Sequence, residues 1–169
     1  MSRTFAERYC PLDRDLPSLG ALDAVTGWWR GLISRTPAPR KDDIDFKDLR
    51  GWHAKLTLAE VLPDCSDMIA RIVGEDVAFL YRGQLKRGVR FGDMIDVSPD
   101  SQAEHIRKIV LGNTMALNRG LLLLSTGQTV KATAIDFPLA AAPGKPVHII
   151  TFYDFRMPGA SRQVVLDTQ

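Results

Sequence analysis

Cysteine is scarce in this chain. Only Cys10 and Cys65 carry thiols among 169 residues, with no CxxC spacing and no neighbouring histidine or cysteine to complete a zinc set. A structural zinc site is excluded, and a reduced, cytoplasmic setting is the expectation. Charge of one sign is not in excess either: 22 Lys and Arg stand against 20 Asp and Glu, a net +2 with a pI near 8.6. That bias is too small to imply a nucleic-acid surface, and no aromatic interleaving or recognised nucleic-acid motif accompanies it. Long hydrophobic runs are missing. The longest strongly apolar run is Leu121–Leu124, against the roughly 20 residues a membrane-spanning helix needs. The opening MSRTFAERYC lacks the apolar core of a secretory signal. A soluble protein without a membrane span is expected. There is no GxSxG elbow, no HExxH helix and no paired metal ligands at fixed spacing. Ser125 and Ser161 have no base placed near them, and Asp42, Asp43 and Asp45 fall where turn and cap hydrogen bonds account for them. No catalytic residue and no metal ligand is assigned, and no enzyme is expected.

What is present reads as one globular domain. Hydrophobic content of 45% and charged content of 25% sit in the globular range, and the length suffices for a core without staples. Residues 1–19 carry Pro11 and Pro17 with no sustained period and read as a loosely held arm. Residues 20–157 form the domain, and 158–169 a tail. Leu22, Val25, Trp29 and Leu32 recur at helical spacing, with Trp28 and Ile33 widening the stripe. Two tryptophans on one short helix need a large apolar surface. Either the protein's own sheet or a second copy of the chain supplies it, and both can hold for different residues. A proline-punctuated link over 36–43 follows, then a short helix over 43–51 and a half-buried strand over 55–62.

The stretch from Asp67 to Ile95 organises the rest. It predicts a strand over 68–73, a turn at Gly74 using positive φ, a short helix over 75–81 begun by Glu75 and Asp76, and a basic glycine-rich loop. Residues 99–119 predict the longest helix, capped by Ser98 or Asp100 and stopped by Asn118 and Gly120. Strands over 121–125, 129–139 and 146–156 follow, joined by short hairpin turns. The fold class is therefore α+β: a five-stranded antiparallel sheet with helices on one face and a hollow between. The tryptophan-bearing helix covers the other face or lies at a dimer interface.

Particular residues add to that order: the Trp28-Trp29-Arg30 helix, the link Pro39 to Asp45, the strand ending Arg71-Ile72-Val73-Gly74, the segment Phe79 to Gly83, and Phe137-Pro138-Leu139 before the last strand. Together they resemble the PAS domain, most closely the single-domain PAS subfamily common in alphaproteobacteria, over residues 22–156. The resemblance implies a sensory or interaction module, often homodimeric, whose hollow holds a small molecule or stays collapsed. Any signal then passes to a protein partner or through dimer geometry. It names no ligand, and the cofactor stays unassigned. Haem-binding modules of this kind need an axial ligand such as a histidine, and His53, His105 and His148 are the only candidates. Flavin photochemistry in the light-sensing class uses an Asn-Cys-Arg motif that neither cysteine has.

Residues expected around the hollow are Arg71, Ile72, Val73, Phe79, Tyr81, Phe91, Met94, His105, Ile109 and Met115. Arg71 in the hollow would be a buried cation wanting an anionic partner; pointing outward, it would pair with Asp76 or another local acid. Convergence of Arg71, Tyr81 and His105 on one point would instead signal a small enzyme. The association face is expected at Leu22, Val25, Trp28, Trp29 and Leu32. The loop bearing Arg82, Lys86, Arg87 and Arg90 either holds a phosphate or is a solvated surface.

Overall fold

The computed structural model describes residues 5–95, 97–124 and 127–157; the tail over 158–169, with Ser125 and Ser161, lies outside the described residues. Strand patterning and helical periodicity separate along the chain. Six strands, β1 (Phe5–Pro11), β2 (Leu56–Val61), β3 (Met68–Val73), β4 (Thr114–Leu123), β5 (Thr129–Leu139) and β6 (His148–Phe155), form one antiparallel sheet in the order β1-β4-β5-β6-β2-β3. Three α-helices accompany it, α1 (Asp23–Arg35), α2 (Glu75–Leu80) and α3 (Pro99–Val110), with short 3-10 turns between. The class is α+β as expected, with one strand more.

The added strand is β1. Seven residues read as a loose arm pair in register with β4, from Phe5 opposite Gly120 to Pro11 opposite Thr114. Pro11 closes the strand, a position where its missing N–H costs no ladder bond. Downstream, Leu12 and Leu16 pack on the sheet and Leu12 O accepts from Trp29 Nε1 at 3.2 Å, so the whole segment is docked.

The two-residue period of β5 shows how the sheet serves two cores. Val130, Ala132 and Ala134 face α3, while Ile135, Phe137 and Leu139 face α1. On the α1 face, Trp29 stacks on Phe137 with ring centroids 4.4 Å apart, and Trp28 meets Phe152 edge-on at 5.5 Å. Leu22, Val25, Trp29 and Leu32 are buried there by the chain's own sheet, and Trp28 is half-buried. Burial of each such side chain contributes roughly 1.5–3 kcal/mol, so Leu22, Val25, Trp29 and Leu32 are covered within the protomer.

Two elements depart from expectation for local reasons. α3 ends at Val110, nine residues before the expected stop, because Gly112 and Asn113 follow it and Asn113 takes φ 49°. The apolar residues Met115 and Leu117, read as helical, belong to β4 instead. In β3, Leu58 pairs with Ile72 but Ala59 with Ala70, so Arg71 is an extra residue bulged from the ladder. The bulge inverts parity: Met68 and Ala70 pack in the α3-side core, Ile72 in the α1-side core, and Val73 returns to the first. Gly74 has φ −65°, not positive; a Cβ there would lie 2.4 Å from the carbonyl of Ala54. Close backbone approach, rather than turn handedness, is what demands glycine. No helix among the described residues is long and apolar enough to cross a membrane.

Candidate functional site

Between α3 and the sheet lies a cavity of about 390 Å³, within the range of small-molecule sites. Its floor is the α3-side face of β4, β5 and β6, presenting Asn118, Leu122, Asp136, Thr151 and Tyr153. α3 supplies Gln102 and His105, and the segment from Phe91 to Ser98 forms a flank through Phe91, Met94 and Val97. Tyr81 just beyond α2 and Glu7 of β1 complete the rim. The flank is pinned at Gly92, whose N–H donates to the Asp67 carboxylate at 3.1 Å. A Cβ at Gly92 would lie 2.8 Å from that carboxylate.

Asp136 is the organising group of the floor. The β5 alternation that buries Val130 and Ala132 carries it to the same face, where it is 5% exposed. An acid so placed needs donors, and neighbouring strands provide them. Thr151 Oγ1, directly opposite on β6, donates to Oδ1 at 2.5 Å; Asn118 Nδ2 on β4 donates to Oδ2 at 2.7 Å. His105 Nε2 reaches Oδ2 from above at 3.0 Å. The other ring nitrogen, Nδ1, lies 2.7 Å from Tyr9 Oη, which is 2.8 Å from Glu7 Oε2. A hydrogen-bonded chain thus runs from the sheet floor through α3 to edge strand β1.

Burial works against charging His105, but the Asp136 hydrogen bond and the charges of Asp136 and Glu7 outweigh it and hold the pKa above 6.5. Burial, then the Glu7 hydrogen bond, raises the Tyr9 pKa. Burial, then the charge of Tyr81, raises that of Tyr153. Tyr9 has one hydroxyl proton and two acceptors. With His105 charged, Nδ1–H donates to Tyr9 Oη and Tyr9 donates to Glu7. With His105 neutral and its proton on Nε2, Nδ1 takes the Tyr9 proton and Glu7 loses its donor. The charge state of one imidazole therefore decides whether the Tyr9 hydroxyl is donated to Glu7 or to Nδ1.

Two residues of the cavity lining each keep a buried amide atom without a hydrogen-bond partner, Gln102 Nε2 and Asn118 Oδ1. Such atoms are rare in folded proteins because each forgoes its hydrogen bond to water. Asn118 has no alternative, since its amide N–H is committed to Asp136.

Of the residues expected around a hollow, Tyr81, Phe91, Met94 and His105 line this cavity. The others do not. Ile109 is sealed in the core beneath α3, and Val73 packs at that core's margin. Phe79 is 64% exposed on the outer side of α2. Met115 and Ile72 face α1, Ile72 because of the bulge. Arg71 is exposed and pairs with Glu60 at 2.9 Å, so no enzyme-like convergence of Arg71 with Tyr81 and His105 exists. His53 binds the Phe46 carbonyl at 2.7 Å, and His148 lies on the α1 side of β6. Asp136, Asn118, Thr151 and Gln102 were missed, although the alternation of β5 alone places Asp136 on a buried face. Among the described residues no three His, Cys, Asp or Glu side chains gather as metal ligands.

No family model and no curated protein matches the chain. Solved structures similar to it include an RNA-binding light-oxygen-voltage receptor, at 15% identity and a TM-score of 0.45, covering 91% of this chain and 39% of that one. A fungal LOV domain photoreceptor is similar at 17% identity and a TM-score of 0.45, covering 80% and 99%. Both are light-oxygen-voltage proteins. The chain thus spans well under half of the first.

Proposed function

We propose that the chain is a PAS-type sensory or signalling module that binds a small molecule in the cavity beneath α3 and has no catalytic output of its own. The observation that carries this is a cavity of about 390 Å³ lined by apolar and aromatic side chains with a few convergent polar groups, among them Gln102 and Asn118, whose side-chain amides each keep one buried atom without a hydrogen-bond partner. A ligand that satisfies them recovers hydrogen bonds the empty protein forgoes. Because His105 shares the cavity with Asn118 and Asp136, occupancy changes the Tyr9 and Glu7 contacts on β1. A second copy or a signalling partner reads that shift, to an extent set by the ligand's differential affinity for the two arrangements.

The test is denaturing release and mass analysis of small molecules from the purified protein, paired with thermal melts against a metabolite panel. A discrete co-purifying molecule, or a concentration-dependent rise in Tm, is expected, and both should vanish in Ala134→Phe, which fills the cavity. A wild-type protein that releases nothing and is stabilised by nothing is a ligand-free interaction module instead.

A further inference from the structure

The cavity is lopsided in charge. Glu7 and Asp136 line it, and among the described residues no lysine or arginine does. Among the described lining residues His105 is the one that can carry positive charge, and its ring is held between the two acids. Even fully charged it offsets one of them. Lys108 lies outside the lining: it pairs with Glu104 at 2.7 Å and sits over the Tyr9 ring at 5.0 Å. An entering anion meets uncompensated negative charge in a partly desolvated space, where repulsion is strong, and a cation meets the reverse.

The aromatic lining agrees with the charge. Tyr81 and Tyr153 meet edge to face at 84° with centroids 6.2 Å apart, both on the lining, and Phe91 adds another ring. Aromatic faces carry the negative part of the ring quadrupole and favour a cation where a ring face is open to it. Met68 and Met94 supply soft, polarisable contacts beside them.

We infer that the cavity selects a small organic cation, an amine or cationic heterocycle with an apolar body, over anions of equal size. This rests on the reading that the cavity holds a ligand at all, and the two fail differently. Three probes of nearly equal shape separate them: tryptamine, 3-ethylindole and indole-3-acetate, compared by calorimetry and ligand-observed NMR. Tryptamine is expected to bind about tenfold or more tighter than 3-ethylindole, the equivalent of about 1.4 kcal/mol, with indole-3-acetate weakest. Glu7→Gln and Tyr81→Leu should each weaken tryptamine several-fold, and added salt should weaken it further. Equal or tighter binding of indole-3-acetate overturns the charge inference and leaves the ligand reading standing. If all three probes are silent, the charge of the co-purifying molecule decides, a cation supporting the inference and an anion or neutral species overturning it. Silent probes with nothing co-purifying remove the ligand reading, and the inference with it.

Discussion

At the scale of single residues, the buried acid on β5 sets the terms for everything near it. With Asp136 in place, His105 has a folded pKa above 6.5. A group raised in this way contributes stability that is fully present below its unfolded pKa and is lost as pH rises through the folded value. The stability difference between wild type and His105→Gln should therefore be larger at about pH 5.5 than at about pH 8.5. His148 works oppositely: burial and Lys41 lower its pKa, so it subtracts stability on acidification, but it is common to both proteins and cancels in the difference. Direct titration of the His105 ring by NMR should give a value above 6.5 in wild type. In Asp136→Asn it should fall below the ordinary value, because burial then prevails over Glu7 alone. A His105 pKa untouched by Asp136→Asn would break the chain described here. The cavity was partly legible at this scale. Tyr81, Phe91, Met94 and His105 follow from helix and strand assignment, whereas Asp136 sits inside the apolar run Ala134 to Leu139 and is easily passed over as an interruption. Period two, applied to that strand, finds it.

At the scale of elements, α1 behaves as a core helix. Trp29 is 1% exposed and stacked on Phe137, so Trp29→Ala should cost about 3–5 kcal/mol in denaturant unfolding. Trp29→Glu should unfold the protomer, because it leaves an unpaired carboxylate against the sheet. Light scattering on a folded Trp29→Glu protein of unaltered Tm would return α1 to the association face. Sequence reasoning located this helix and its apolar stripe, since both are local. It could not say what covered the stripe, since that depends on the sheet. The end of α3 is a different kind of miss: Gly112 and Asn113 are a local stop signal, overruled in the reading by apolar residues that kept helical spacing past it. The bulge at Arg71 was not legible at all. It arises from pairing with β2, and nothing in Ile69-Ala70-Arg71-Ile72 marks the residue that the ladder will skip.

At the scale of the molecule, the sheet has two edges and the chain closes each differently. β3 is covered by its own following loop, with Ala70 N donating to Val89 O at 3.0 Å and Gly88 N to Ala70 O at 2.7 Å. That use accounts structurally for the glycine-rich loop around Arg87. The far edge is closed by β1, which shields the ten-residue β4. β4 carries Met115, Leu117 and Leu122, a long apolar strand of the kind that pairs with other chains when its edge is bare. β1 in turn shows water a run of exposed Ala6, Glu7 and Arg8, whose charges discourage a seventh strand. Deleting residues 2–11 should therefore do two things at once. It should lower Tm, through loss of buried Cys10 and of the Tyr9 bond to His105, and it should make the protein associate with rising concentration in size-exclusion light scattering. Lowered stability without association would mean that the β4 edge is protected by something other than β1. Association without any fall in His105 pKa would mean that β1 covers the sheet but takes no part in the proton chain, leaving occupancy of the cavity with no route to the surface through this strand.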